Sequence, residues 1–123
     1  MSARNTAIVD EVNAAFAANK FDGFLAHCTN DVVWTMVGDR TVSGVDAIRN
    51  WLSSMAGGEA PKFTVDHVSG DGDTVTAYGD MTMKGTDGST EPYAYCDVYR
   101  FRGDKIAELR SYVVSTKPKV DMV

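Results

Sequence analysis

The chain has 123 residues, with 12 Lys+Arg against 17 Asp+Glu and a formal charge of −5. That is one domain, residues 1–123, long enough to bury a core without disulfides or a structural metal. An acidic chain with no Lys/Arg-rich run lacks the basic face that a nucleic-acid backbone requires, and 44% hydrophobic with 24% charged residues excludes a disordered chain.

No apolar run approaches the roughly 20 residues of a membrane span, and Met1-Ser2-Ala3-Arg4 does not open an export signal. Cys28 and Cys96 are therefore expected as reduced thiols in a cytoplasmic protein.

In chain order, Ile8, Val12 and Phe16 recur every fourth residue and predict an amphipathic helix over 4–18, broken at Asn19-Lys20. Asp22 opens a short second helix carrying Phe24, Leu25 and Cys28. Val32 to Val37 reads as a strand, ended by Gly38-Asp39. Ser43 is the expected N-cap of a third helix with Val45, Ile48, Leu52 and Met55 on one face, and Gly57-Gly58 its stop. After Pro61 the period changes to two. Strands are expected from Phe63 to Val68, from Thr74 to Lys84, from about Pro92 to Arg102, and from Lys105 to Thr116. Gly70 to Asp73, Gly85 to Ser89 and Gly103-Asp104 are the turns, and 118–123 is expected to fray. Helices first and hairpins afterwards predict an α+β domain, with about three N-terminal helices on a strongly curved antiparallel sheet. Such a cone leaves an apolar mouth suited to a small ligand.

Strand alternation sorts the side chains. Tyr93, Tyr95, Asp97, Tyr99 and Phe101 form one set, aromatic with a single carboxylate at its centre, and are assigned to the cone. Val75, Ala77, Gly79, Met81 and Met83 face them. Ala77 and Gly79 are read as removing volume for a ligand. Leu109, Ser111 and Val113 are assigned inward on the last strand. Phe16, Val33, Thr35, Trp51 and Met55 complete the expected ligand wall.

Asp97 is the candidate catalytic group. A carboxylate among tyrosines and methionines loses hydration, which raises its pKa and lets it act as a general acid or donate to an oxyanion. Tyr95 and Tyr99 are the expected orienting neighbours. The competing reading pairs Asp97 with an arginine. His27 and His67 read as ordinary surface or edge histidines. Trp34 reads as a packing residue. No HxH, CxxC or HExxH spacing points to a metal, and no cofactor is expected.

The stretches Asn19-Lys20-Phe21-Asp22-Gly23-Phe24, Thr29 to Trp34, Ser43-Gly44-Val45-Asp46-Ala47-Ile48-Arg49, and Tyr95 to Phe101 with Asp104-Lys105-Ile106 resemble the nuclear-transport-factor-2-like superfamily, in its SnoaL-like and ketosteroid-isomerase-like branch. The resemblance implies a cone-shaped α+β barrel with a deep pocket. It also implies homodimers through the outer sheet face, here Tyr78, Cys96, Val98, Tyr112 and Val114. It places Asp97 where ketosteroid isomerases keep a protonated acid. Their general base falls on Thr35 and their oxyanion tyrosine on Val12, neither of which can do that work, so steroid isomerisation is not expected. The limonene-epoxide-hydrolase pattern is likewise incomplete: Tyr95 stands for its Arg and Ser111 for its second Asp.

The leading expectation is a cofactor-free isomerase-, cyclase- or dehydratase-type enzyme acting on a small apolar carbonyl or hydroxyl compound. A non-catalytic binding protein and a dimerisation module are the alternatives.

Overall fold

The computed structural model describes residues 2–55, 62–85 and 87–117. The stripe at every fourth residue folds as α1 (Ser2–Ala17), which buries Ile8, Val9 and Val12 and half-buries Phe16. Its end is a Schellman closure. Asn19 takes φ 59°, a left-handed conformation that Asn tolerates. The Asn19 N–H donates to the Phe16 carbonyl at 3.0 Å and the Lys20 N–H to the Ala15 carbonyl at 2.8 Å. In α2 (Asp22–Leu25), Phe24 and Leu25 enter the core. Gly23 allows this close approach, because a Cβ there would collide with the Ala15 side chain.

β1 (Cys28–Met36) begins earlier than its apolar run suggests, and β2 (Arg40–Ser43), a polar edge strand, was not anticipated. Ser43 pairs with Val33 as the last residue of β2, so it does not cap the next helix. Gly44 holds that position. Its carbonyl accepts from the Ile48 N–H at 3.0 Å, and its φ of +92° turns the chain out of β2 at an angle that a side chain would resist. α3 (Val45–Met55) then buries Ile48 and Leu52. The expected stop at Gly57-Gly58 and the break at Pro61 lie outside the described residues, as does the 118–123 tail.

The strand expected from Phe63 to Val68 is interrupted, giving β3 (Lys62–Phe63) and β4 (His67–Asp71). β5 (Thr74–Lys84), β6 (Thr90–Arg102) and β7 (Lys105–Ser115) follow. The sheet order is β2-β1-β7-β6-β5-β3, with β4 also on β5. All pairings are antiparallel except β1 with β7, so the sheet is mixed, which corrects the wholly antiparallel expectation. β1 and β7 are far apart in sequence and joined by many elements, which frees them from hairpin geometry. The sheet is open, ending at β2 and β3, and does not close into a barrel. Register shifts in the β1–β7 and β6–β7 pairs bend it. The three helices pack on this large curved sheet, and the core lies between them.

Candidate functional site

Pairing across β5, β6 and β7 lays the inner-face residues out in rows. Val75, Tyr99 and Leu109 form the floor, at 0%, 0% and 1% exposure. Ala77, Asp97 and Ser111 form the next row. Gly79, Tyr95 and Val113 come above them, and Val113 is already 45% exposed. Met81 and Tyr93 are half-buried beyond that. Asp97 therefore stands one row above a sealed floor, and the face opens from there toward the rim. Val113, assigned to the wall, sits on that rim.

The inward assignment of the β6 set holds: Tyr95, Tyr99 and Phe101 are buried, while Arg100 and Arg102 on the opposite face are exposed. Burial pushes the Asp97 carboxyl up to about 6, and a hydrogen bond from the Ser111 hydroxyl draws it partly back. The ion-pair reading of Asp97 is not what the structure shows, since the arginines of its strand point away.

Ser111 is itself held. Trp34 Nε1–H donates to Ser111 Oγ at 2.9 Å. The Trp34 indole is clasped by Phe24 at 5.4 Å, Trp51 at 5.3 Å and Phe16 at 6.0 Å between ring centroids. Phe16 and Trp51, both expected in the wall, thus converge on Trp34, which reaches Ser111, the neighbour of the acid. Trp34 was read as mere packing. Its position two residues after Val32 was the available signal, blurred because Val33 between them is also apolar.

The two tyrosines do not orient Asp97 as expected. Tyr95 gives its hydroxyl proton to the Thr64 carbonyl at 2.7 Å. Thr64 belongs to the irregular segment between β3 and β4, whose N–H groups at Thr64 and Asp66 donate to Asp80 and Tyr78 on β5. Gly79 lies beneath it, and a Cβ at Gly79 would run into the Thr64 carbonyl. Gly79 therefore makes room for the chain's own backbone, not for a ligand. The Tyr99 hydroxyl is fully buried with no hydrogen-bond partner. Burial first, and then the charge of Asp97, raises both phenols, Tyr95 to about 12 and Tyr99 well above its ordinary value.

Val33 and Thr35 are corrected as well. With Val32 buried and Trp34 packed inward, alternation turns both outward. Val33 lines a shallow outer depression with Asp31, Arg100 and Arg102, and Thr35 meets the Thr41 hydroxyl of β2 at 3.4 Å. The Met55 side chain lies outside the described residues.

Both cysteines are free thiols. Burial raises Cys28 to about 12, which makes it unreactive, and Cys96 sits half-buried on the outer face. His27 Nε2 lies 2.9 Å from Glu11 Oε2 at the surface, and His67 stacks on Tyr78 outside the cone. Among the described residues no cluster of three or more His, Cys, Asp or Glu side chains is placed to hold a metal, and no helix is long and apolar enough to cross a membrane. A separate open groove of about 700 Å³ runs between α1, α2 and α3, bordered by Ala15, Lys20, Gly23 and Arg49. It does not reach Asp97.

Comparison with known proteins matches residues 9–109 to the model of the SnoaL-like domain. No curated protein matches the chain. Among solved structures, an LEH-like epoxide hydrolase from M. tuberculosis is 19% identical with a TM-score of 0.80, covering 91% of this chain and 84% of that one. A putative polyketide cyclase from Xanthomonas campestris pv. campestris is also 19% identical with a TM-score of 0.80, covering 90% of each. A putative ketosteroid isomerase from Kribbella flavida is 11% identical with a TM-score of 0.80, covering 98% and 84%. At these identities the likeness is one of fold.

Proposed function

The chain belongs to the SnoaL-like domain family, and from that premise we propose that it is a cofactor-independent enzyme that moves a proton on a small, largely apolar compound bearing a carbonyl or hydroxyl group. The reaction class is isomerisation, cyclisation or dehydration. The observation that carries this reading is one carboxyl, Asp97, set among apolar and aromatic side chains, free of any arginine, with its pKa raised to about 6. A group poised there exchanges its proton readily near neutrality, taking it as carboxylate and returning it as acid.

In an isomerisation, Asp97 takes a proton from the carbon beside the carbonyl. The C–H electron pair passes into the enolate, and the same carboxyl returns the proton to another carbon. Product and substrate are isomers, so no co-reactant is required. One shuttling acid also removes the need for a separate base, which Thr35, pointing outward, does not supply. Steroid isomerisation itself is not the proposed activity, because Val12, packed at 0% exposure, stands where that chemistry needs a tyrosine donor. Phe16, Trp51, Ala77 and Met81 are the proposed apolar wall, Leu109 its base, and Ser111 the group that sets the acid.

The test begins with a thermal-shift screen of steroids, terpenoids and polyketide-like compounds, since a ligand of the native state raises its melting temperature. Compounds that bind are then incubated in D2O, and deuterium uptake beside the carbonyl is followed by NMR. Asp97→Asn is expected to slow uptake by about 10²-fold or more. Undiminished uptake would refute the role of Asp97, and binding without uptake or turnover would make the protein a binder.

We also propose a cytoplasmic homodimer formed through the outer sheet face. The free thiols suit a reducing compartment. Tyr78, Cys96 and Tyr112 share one row of that face, with Tyr78 47%, Tyr112 37% and Val114 63% exposed. Sedimentation velocity is expected to show a dimer that Tyr112→Glu converts to monomer. A monomeric parent protein would remove the proposal.

A further inference from the structure

We propose that Trp34 is a positioning residue that, through Ser111, fixes which oxygen of Asp97 carries the exchangeable proton. This rests on the reading of Asp97 as the working acid. The argument is one of donor polarity. An indole N–H donates and cannot accept. With Trp34 Nε1–H directed at Ser111 Oγ at 2.9 Å, that oxygen is the acceptor, and the serine's own proton must point elsewhere. Ser111 pairs directly with Asp97 across β6 and β7, on the same inner face. The serine proton goes to the carboxyl, and the chain runs one way, from indole to hydroxyl to carboxyl.

The consequence is geometric. The Asp97 oxygen that accepts from Ser111 is the poorer seat for a proton, because a protonated carboxyl oxygen is the weaker acceptor of the two. The acidic proton therefore favours the other oxygen. Tyr99 and Leu109 seal the floor below, so a ligand reaches that other oxygen from the open side of the row. The relay keeps the reactive proton toward a ligand.

The relay also explains why a large polar-edged indole sits in an aromatic box. Phe16, Phe24 and Trp51 clamp the Trp34 ring, leaving its N–H in one direction. The other groups around Asp97 do not compete for this role. Tyr95 is committed to Thr64, and Tyr99 carries no hydrogen bond. Cys96 faces outward on the same strand, and Cys28 bears on Tyr99 rather than on Asp97. β5 presents only Ala77 opposite the acid, and α1 offers no titratable group among its buried residues.

The test needs no substrate. In the parent protein, the Trp34 indole N–H resonance is followed by 1H–15N NMR while the Asp97 carboxyl is titrated by 13C NMR. The indole resonance is expected to move with the Asp97 midpoint and to stop moving in Asp97→Asn. Ser111→Ala is expected to raise the Asp97 midpoint by about one pH unit, the loss of one hydrogen bond to a charged group. Trp34→Phe is expected to raise it by less, and to have no further effect once Ser111 is Ala. An indole resonance that ignores Asp97, or a Trp34→Phe shift that persists in the Ser111→Ala background, would overturn the relay. The parent-protein titration decides the matter even where Trp34→Phe fails to fold. A relay that titrates as described in a protein that catalyses nothing would leave this inference standing and remove the enzymatic one.

Discussion

Two aspartates on neighbouring parts of the same sheet have opposite surroundings. Asp31, on the outer side of β1, receives Arg102 Nη1 on Oδ1 at 3.1 Å and Nη2 on Oδ2 at 3.3 Å, and its carboxyl is held below the ordinary value chiefly by that arginine. Asp97, one strand face inward, has a serine in place of an arginine, and burial pushes it up to about 6. The residue type is the same. Its proton affinity is set by which face of the sheet it occupies, because the face decides whether water and a cation reach it. Arg102 and Asp97 lie on one strand with side chains on opposite faces, so alternation alone keeps the acid unpaired.

The comparison breaks most severely at the floor. Leu109→Ala removes a fully buried side chain from the floor row beneath Asp97 and Ser111 and is expected to destabilise the fold by about 2–5 kcal/mol in chemical denaturation. If burial is what lifts Asp97, water entering that space also lowers its midpoint in the NMR titration. A midpoint unchanged in the variant would assign the shift to another cause.

Asp97→Asn tests the inner site itself. Below about pH 4 the carboxyl is protonated both folded and unfolded. Above about 6 it is ionised in both states, and the folded protein bears the desolvated charge. Stability in the parent is therefore expected to fall as pH rises through the window from about 4 to 6. The asparagine variant should lack this decline and be more stable at pH 8 by on the order of 2–3 kcal/mol, with little difference at pH 4. Urea denaturation at the two pH values checks it. A variant that is less stable at pH 8 would mean that Asp97 has an ionic partner after all.

Asp31→Asn is the smallest of the three. An exposed ion pair contributes little, and 0.5 M salt is expected to erase the difference from the parent. Its pH sign is reversed: any stabilisation is present at neutral pH and lost as acid protonates the carboxylate.

The sequence made the inner site legible where alternation was long and chemically lopsided. β6 alternates over 13 residues, with aromatics on one side and arginines at the end of the other, so Asp97 was placed inward correctly. β5 was bounded as observed, from Thr74 to Lys84, because turns flank it and one face is apolar. β1 was not legible in this way. Val32, Val33 and Trp34 are apolar in succession, so the period of two is hidden, and Val33 and Thr35 were sent to the wrong face. Gly79 was misread for a different reason: the Thr64 carbonyl that needs the space comes from elsewhere in the chain, and no local pattern announces it. Ser43 looked like a cap because serine usually is one, yet the β1–β2 pairing claims it and leaves Gly44 to start the helix.

The most direct measurement is the 13C NMR titration of the Asp97 carboxyl in the ligand-free protein. A midpoint near 6, with Asp31 held below the ordinary aspartate value, is the result expected of an acid held inside the cone and shielded from arginine. A midpoint for Asp97 in the ordinary aspartate range would contradict the account.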